Sequence, residues 1–372
     1  MSLARDIVDR IFFPDRDVHA IPVLDGGFSP NERLERAPVL GDTLKSADAL
    51  VFDDRGVLYV SAGLQILACA APDFSERKVL AEFDANVGAL AWSAHTGLLA
   101  CVSGRGVCAV DADGAVAGWL EQPDGDPVRC PTAVACAVEG TIYLTDGSRH
   151  NPFEQWQADL MQKRPPSGRV IACGADLRGA CVLADNLDWP AGIVVTHDER
   201  SLYVVESWAH RLSKFDCAGG KPRVAVKNFA GYPSRISRAS DGGYWLALFA
   251  LRTQLTEFIL REHEFRARMM NEVPQHLWAG PSLGDGFDPR EPTQIGRIKK
   301  LGIQKPWAPP RSYGLVARLD KSGSAIETWH SRVDGRVHGI TTVRPIGTRV
   351  IAVSKGSDCL VELPLERGEQ ER

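Results

Sequence analysis

Residues 48–61 read DALVFDDRGVLYVS, in which an alternating apolar strand, a turn with Asp and Gly, and a second apolar strand follow one another. The same pattern recurs five more times along the chain. The further copies begin at Gly88, Thr132, Ala191, Arg235 and Gly339. A unit of about 40–50 residues that carries about four short strands is typical of a β-propeller blade. The sequence therefore predicts an all-β fold, a six-bladed β-propeller.

Two of the spacings between copies exceed the usual repeat of about 42 residues. The extra residues are 147–166 and 251–313, and each insertion directly follows the second strand of its copy. Because neighbouring strands are antiparallel, second strands end at the rim where first strands begin. We therefore expect both insertions to form a lid over one face of the propeller. The alternative is that they form the contact between subunits of a homo-oligomer.

The insertions carry helix signals. Asn151, Pro152 and Glu154 have the spacing of a helix N-terminus with a capping box. The second insertion begins with apolar residues at helical spacing and predicts one helix of about five turns. These residues are Leu251, Leu255, Phe258, Ile259 and Phe265.

We expect residues 1–372 to form a single propeller domain. The third strand of the last copy ends near Leu365, which leaves no room for a fourth. An N-terminal strand near residues 18–24 is therefore expected to complete blade six and close the ring, which removes an open sheet edge.

The composition excludes several classes of function. Apolar residues make up 44% of the chain, charged residues 24%, and the net charge is −4, without a block of consecutive Lys or Arg. Nucleic acid is therefore not an expected partner. The longest apolar run, Tyr244–Leu251, is far shorter than the roughly 20 residues of a membrane-spanning helix, so no membrane partner is expected. The N-terminus does not resemble a secretory signal, and a cytoplasmic location is expected.

The motifs of two large enzyme classes are absent from the sequence. It contains no HExxH and no P-loop, which argues against zincins and nucleotide-binding proteins. The nine cysteines form neither a CxxC pair nor a Cys/His cluster, and we interpret them as reduced, buried residues.

Several phrases in order resemble the strictosidine synthase-like family, over about residues 47–354. They are TDGS at 145–148, PSGRV at 166–170, DWPAGIVVTHDE at 188–199, LYVVESWAHRL at 202–212, GYPSRI at 231–236 and DGGYWLAL at 241–248. That family is six-bladed and is related to the gluconolactonase and paraoxonase-type lactonases. The resemblance therefore implies the same fold as the repeat, and it implies the reaction less firmly.

In the lactonase relatives, acidic and Asn residues at the starts of the innermost strands hold a divalent cation, usually Ca²⁺. The resemblance places Asp48, Thr132, Ala191 and the pair Ser234 and Arg235 at these positions. Calcium needs six to eight oxygen ligands, which this set does not supply. We therefore expect the metal site to be lost and no cofactor to be required, as in the strictosidine synthase branch.

Asp48 and His338 are the first candidates for catalysis. They open blades one and six, which ring closure makes neighbours. A His/carboxylate pair suits general acid/base chemistry near neutral pH. The alternative is a structural His338 bound to a backbone carbonyl.

Arg235 and Glu206 are further candidates. Arg235 places a fixed cation where the relatives have a metal ligand, so it is suited to bind an anionic group or an oxyanion. Its alternative role is a structural partner of Asp48 or Glu206. Glu206, among Trp189 and Trp208, is either an acid with a raised pKa or the partner of an arginine.

The expected pocket is aromatic-walled and suited to a flat or apolar small molecule. Its candidate substrate-binding residues are Thr132, Trp189, Trp208, Tyr232, Phe249 and Ser234.

Three functions follow from these residues. The first is metal-independent hydrolysis of a lactone, ester or related acyl bond by a water activated at Asp48 and His338, with Arg235 stabilising the anion. The second is a strictosidine synthase-like lyase that makes or breaks a C–N bond through an iminium, with Glu206 or Asp48 carrying protons. The third is a non-catalytic binding propeller.

Overall fold

Six four-stranded antiparallel sheets make up the fold. The computed structural model describes residues 20–284, 290, 299–300, 303–304, 311–333 and 335–365. The innermost strands of consecutive blades contact one another, and that of blade six contacts that of blade one, so the ring is closed. The predicted six-bladed β-propeller is confirmed.

The first three blades run outward from the central channel in sequence order. Their strands are Ala47–Phe52, Leu58–Ala62, Gln65–Cys69 and Arg77–Glu82; Val87–Ser93, Gly97–Val102, Gly106–Val110 and Val116–Leu120; and Pro131–Cys136, Ile142–Asp146, Gly168–Cys173 and Cys181–Leu187. The second strands of blades two and three are almost wholly buried, because both of their faces pack against neighbouring blades.

The last three blades follow the same plan. Their strands are Pro190–Val195, Ser201–Glu206, Arg211–Asp216 and Arg223–Val226; Gly231–Arg238, Tyr244–Leu251, Leu315–Leu319 and Ala325–His330; and Ile340–Ile346, Arg349–Ser354, Cys359–Glu362 and Val39–Leu40. The two insertions lie in blades three and five, in both cases between the second and third strands.

The strand that closes the ring differs from the prediction. Val39–Leu40 pairs with Val361 and Leu360 and completes blade six. The predicted strand near residues 18–24 is wrong: residues 20–24 form no strand, and residues 18–19 lie outside the described part. Leu40 is buried with Leu360 beside the first blade, whereas Val23 is 77% exposed. Burial of an apolar side chain thus selects the later segment.

The described parts of the insertions contain three α-helices. Their helices are α1 (Trp156–Gln162), α2 (Gln254–Arg261) and α3 (His263–Glu272), with 3-10 turns at Phe153–Gln155 and Gln275–Leu277 and a short hairpin of Lys299–Lys300 with Ile303–Gln304. Further 3-10 turns are Gly26–Phe28, Arg33–Arg36, Pro123–Gly125 and Lys355–Ser357. No helix in the described ranges is long and apolar enough to cross a membrane.

Both helix predictions need correction. The single five-turn helix is broken at Glu262, whose ψ of 83° is not helical, and α2 begins instead at a Thr253 cap that accepts the Thr256 N–H. The Asn151 capping box does not form. The Asn151 amide instead donates to Asp159 and Gln162 inside the insertion, which ties the loop to its own helix.

The two insertions pack against each other on one face. Leu160 and Met161 of α1 share an apolar cluster with Ile259, Leu260 and Met269 of α2 and α3. The side chain of Gln157 also donates to the carbonyl of Pro281 (3.0 Å). Together they form a lid over the channel mouth where the innermost strands begin, called the lid-side mouth below.

Candidate active site

A cavity of about 80 Å³ lies under the lid at the lid-side mouth, and we call it the axial pocket. Its charged floor consists of Asp48, Arg235 and Lys355. The remaining lining residues are Thr132, Phe153, Trp156, Trp189, Ala191, Trp208, Ser234, Phe249, Leu283 and Thr341. An apolar-walled pocket with a few convergent charged groups is the usual form of a small-molecule site.

Asp48 is held between two cations. One carboxylate oxygen accepts from Arg235 Nη2 at 2.6 Å and the other from Lys355 Nζ at 2.7 Å. Burial alone would raise the pKa of Asp48, but the charges and hydrogen bonds of Arg235 and Lys355 outweigh it and hold that pKa well below its usual range. The floor therefore carries one negative and two positive charges, a net charge of +1.

Arg235 connects blade five to three other blades. Its Nε donates to the Thr132 carbonyl (3.2 Å), and its Nη1 donates to the Asp48 carbonyl (2.9 Å) and to Thr342 Oγ1 (3.2 Å). The strand that carries it has a register shift between Pro233 and Ile236. The guanidinium is thus fixed across the channel before any ligand binds.

The aromatic wall is built from propeller and lid together. Trp189 and Trp208 stack with ring centroids 5.1 Å apart, and Trp156 of α1 meets Phe249 edge-on at 5.1 Å. The Trp208 indole donates to Asp159 (3.0 Å), which fixes its orientation. These contacts hold the wall rigid on one side of the charged floor.

The residues present do not fit a calcium ion. Ala191 offers no side-chain oxygen, the Ser234 hydroxyl donates to the Thr341 carbonyl (3.0 Å), and the Asp48 carboxylate is taken up by two cations. Calcium needs six to eight oxygens. Within the described ranges, no group of three or more His, Cys, Asp or Glu side chains is placed to hold a metal ion.

The predicted pairing of Asp48 with His338 is wrong. The Asp48 carboxylate binds Arg235 and Lys355, while His338 Nδ1 lies 2.7 Å from Ser312 Oγ and Nε2 lies 3.0 Å from the Arg332 carbonyl. His338 precedes the innermost strand of blade six, and its ring points toward the chain that re-enters from the second insertion. Its position matches the structural alternative.

Glu206 also has a structural environment. Arg211 donates to both of its carboxylate oxygens at 2.7 Å, and Ser213 Oγ (2.6 Å) and the Asp188 N–H (3.1 Å) add further hydrogen bonds. Glu206 is fully buried and does not line the axial pocket. Its arginine partner is thus Arg211, one strand away, and not Arg235.

Five of the six predicted substrate-binding residues line the axial pocket, namely Thr132, Trp189, Trp208, Phe249 and Ser234. Tyr232 does not line it. Its ring is fully buried beneath the lid against His210, with centroids 4.7 Å apart, and burial raises its pKa well above the usual value. Its place beneath the lid helices could not be deduced from strand order.

Lys355 is the main functional residue whose role the sequence pattern did not assign. Lys355 directly follows the second strand of blade six, and Asp146 and Glu206 are the last residues of the second strands of blades three and four. The position of Lys355 at this rim was therefore foreseeable. Its ion pair with Asp48 was not, because that pair joins positions 307 residues apart. Phe153, Trp156 and Leu283 enter the pocket from the insertions and needed the fold of the lid.

A larger cavity of about 520 Å³, the side pocket, adjoins the axial pocket. Trp189 and Trp208 line both cavities. The side pocket also contains Asp188, whose pKa is raised by burial and then by the charge of Glu206. A protonatable carboxyl beside an aromatic wall is a candidate acid or base that the sequence did not reveal.

Parts of the sequence are similar to known proteins. The family model described as strictosidine synthase matches residues 133–219. Protein strictosidine synthase-like 6 of Arabidopsis thaliana is 28% identical over 160 residues, 43% of this chain and 43% of that protein. The adipocyte plasma membrane-associated protein of Danio rerio is 31% identical over 118 residues, 30% of this chain and 27% of that protein.

Solved structures support the fold. A gluconolactonase from Xanthomonas campestris has a TM-score of 0.59 at 17% identity and covers 93% of this chain and 99% of its own. Regucalcin, a calcium-binding protein from Agrobacterium tumefaciens, has a TM-score of 0.56 at 14% identity, covering 89% and 94%. At these identities the likeness is one of fold alone.

The predicted resemblance to the strictosidine synthase-like family is confirmed, with a fold like that of gluconolactonase and regucalcin propellers. The matches span less than half the length of the curated relatives. Two of the names that these comparisons give, strictosidine synthase and gluconolactonase, are names of enzymes.

Proposed function

We propose that this protein is a metal-independent enzyme that hydrolyses a lactone, an ester or a related acyl bond of a small molecule. The observation that carries the proposal is the floor of the axial pocket, where Arg235 and Lys355 share the single carboxylate of Asp48. The surplus positive charge faces an aromatic-walled chamber under a lid. Such a floor favours a substrate that becomes negatively charged during the reaction.

The chemistry requires an oxyanion. Water adds to the acyl carbon, its carbonyl oxygen becomes negative in the tetrahedral intermediate, and the bond to the leaving alcohol then breaks. Arg235 and Lys355 stabilise that oxygen. Asp48 accepts a proton from the attacking water and passes it to the departing alkoxide. Because its pKa is low it is a weak base, so the two cations carry most of the rate acceleration.

The sizes of the two cavities suggest which part of the substrate lies in each of them. The axial pocket, at about 80 Å³, is below the roughly 300–1,000 Å³ usual for ligand sites, whereas the side pocket, at about 520 Å³, lies within that range. We assign the reacting acyl group to the axial pocket and the remainder of the substrate to the side pocket, past Trp189 and Trp208.

The test is a hydrolysis screen with a charge-removing variant. The purified protein is assayed in the presence of a chelator by pH-stat against γ-butyrolactone, δ-valerolactone and p-nitrophenyl esters. Arg235→Met should lower kcat/KM by about 100-fold, the cost of losing one oxyanion donor. The matched control is Arg349→Met, which removes an arginine paired with Glu362 on the second and third strands of blade six. Equal rates in the two variants would reject the proposal.

A second candidate is the strictosidine synthase-like reaction, condensation of an amine and an aldehyde through an iminium. The family match over residues 133–219 favours it, since that segment contains the Trp189 and Trp208 wall and Asp188. The Glu206 carboxylate accepts hydrogen bonds from Arg211 and Ser213 and is therefore not available to carry protons. The proton carrier in this scheme would be Asp188 in the side pocket. Condensation that is lost in Asp188→Asn and retained in Arg235→Met would favour this candidate over hydrolysis.

A further inference from the structure

The other end of the central channel holds a second cavity, of about 300 Å³. The innermost strands of all six blades finish there, and we call this end the far mouth. One lining residue from each blade in turn is Phe52, Trp92, Cys136, Val195, Arg238 and Arg344. Most of the remaining lining is aliphatic, including Val51, Val134 and Ile193. The cavity thus combines an apolar wall with a few nitrogen donors.

Arg344 is the unusual member of this ring. Its Nε is buried and makes no hydrogen bond, and its guanidinium forms no ion pair with any residue in the described ranges. The neighbouring Arg238, by contrast, pairs with Glu199 and donates to the carbonyls of Val195 (2.7 Å) and Thr196 (2.8 Å). A guanidinium without a counter-charge in an apolar cavity is strongly unfavourable.

Trp92 provides a second, independent donor without an acceptor. Its indole Nε1 is buried and has no hydrogen-bond partner among the residues that the structure describes, while its ring stacks on Tyr59 with centroids 6.2 Å apart. Buried donors in folded proteins are nearly always satisfied by protein, water or ligand. Both residues line the same cavity, where the described part of the protein supplies no acceptor for either donor.

The electrostatics of the channel strengthen the case for a negative ligand. Burial lowers the pKa of Arg344 to about 10, and the positive charge of Arg235 farther along the channel lowers it as well. An anion at the far mouth would offset both effects.

We propose that the far mouth is a binding site for a small monocarboxylate with an apolar body. Its carboxylate accepts from the Arg344 guanidinium, whose planar fork matches a carboxylate, and from the Trp92 indole. Its apolar part contacts the aliphatic wall of Val134 and Ile193. Strongly hydrated divalent anions fit this wall poorly because their water would have to be removed. The site is independent of the reaction proposed for the axial pocket.

The experiment follows thermal unfolding of the full chain as sodium butyrate is raised from 0 to 50 mM at constant ionic strength. The wild type should show a saturable rise in Tm of several degrees, as expected for a ligand that binds only the folded state. Arg344→Met should show no such rise, and its Tm without butyrate should equal or exceed that of the wild type, because an uncompensated charge has been removed. Trp92→Phe should shift the midpoint of the rise to higher butyrate.

The control variant is Arg105→Met, which removes a surface arginine paired with Glu121 and should retain the full rise. Parallel titrations with chloride and sulfate identify the anion class. The proposal is overturned if the wild type does not respond to butyrate, if Arg344→Met responds like the wild type, or if chloride and sulfate produce the same rise as butyrate.

Discussion

The two mouths of the channel are built from the two ends of the same six strands, yet they differ in whether their cationic side chains have a carboxylate partner. At the lid-side mouth, Arg235 and Lys355 are held by the carboxylate of Asp48. At the far mouth, Arg344 has no carboxylate partner in the described part of the chain. The described part of the lid lies over the first mouth, because both insertions follow second strands.

The difference separates a site preorganised by the protein from one completed by a ligand. At the lid-side mouth, Asp48 offsets one cation and positions both, so the floor keeps its geometry when the pocket is empty. At the far mouth the apolar wall supplies no such counter-charge, so we expect stability there to depend on the surrounding solution. The comparison is tested by variants that remove the counter-charge at the lid-side mouth or add one at the far mouth.

The largest expected effect comes from removing the shared carboxylate. Asp48→Asn leaves Arg235 and Lys355 facing each other in a buried site and should destabilise the fold by about 3 kcal/mol or more. Urea unfolding monitored by circular dichroism measures the loss. The double variant Asp48→Asn/Arg235→Met removes one of the two cations and should recover a large part of it, so that the two substitutions are not additive.

The pH dependence provides the control for this prediction. The folded-state pKa of Asp48 is depressed, so its stabilisation is present above the unfolded pKa and is lost only as the pH falls through the lower folded value. The stability gap between wild type and Asp48→Asn should therefore stay constant from pH 8 to pH 5 and narrow only in stronger acid. A gap that closes near pH 6 would indicate that another group, such as a histidine, holds the site together.

The second prediction tests whether the lid belongs to one mouth alone. Ile259→Ala removes a buried side chain between α2 and α1, and a cavity of this kind costs about 2 kcal/mol or more. The second insertion lies between two strands of blade five and does not replace any of them, so the loss of stability should be confined to the lid. It should appear as faster hydrogen exchange in residues 254–272 and as weaker substrate binding. Phe258→Ala, at a 51% exposed position on the same helix, is the matched control.

In that experiment, exchange should rise in the lid while the strands of blade five keep their protection. The butyrate response of the far mouth should also be unchanged. Faster exchange throughout blade five would show that the lid and the propeller unfold as one unit, and the proposed separation would be wrong.

The sequence predicted the propeller well because its evidence was periodic. The position of Asp48, Thr132, Ser234 and Arg235 at one rim followed from strand order alone, since antiparallel strands start and end at fixed rims. The partners of these residues did not follow. Strand order makes Asp48 and His338 neighbours, but hydrogen bonds within a few ångströms decide that Asp48 binds Lys355 and that His338 binds Ser312.

Errors in the lid and at the ring closure have a related physical cause. Helical spacing extended through Glu262, but the backbone there bends so that α3 can return over α1. The closing strand Val39–Leu40 is only two residues long, and such a segment carries no periodic signal. Arg344 was not singled out, because an arginine on a strand is usually solvated, and only its place in the channel lining without a carboxylate partner in the described ranges makes it unusual.

The third prediction concerns a variant in which a carboxylate is introduced at the far mouth, as Asp48 provides one at the lid-side mouth. Cys136 lies in the far-mouth lining, where a negative charge would raise the pKa of Arg344. Cys136→Asp should therefore supply a counter-charge, stabilise the folded state by about 1 kcal/mol in anion-free buffer, and abolish the rise in Tm with butyrate. Cys136→Asn has the same size without the charge and should keep the butyrate response. A butyrate response retained in Cys136→Asp would separate that response from the charge of Arg344.

The smallest expected effect is that of calcium at the lid-side mouth. A bound ion would have to compete with Arg235 and Lys355 for the Asp48 carboxylate, and Ala191 offers it no oxygen. Addition of EDTA or of excess Ca²⁺ should therefore change the Tm of the wild type by less than about 1 °C. The variant Ala191→Asp/Arg235→Asn restores oxygen ligands in place of a methyl group and a cation, and its Tm should rise with added Ca²⁺. A fall of many degrees in the wild type on chelation, reversed by Ca²⁺, would mean that the cations at this mouth yield to a metal, and the contrast between the two mouths would then need a different explanation.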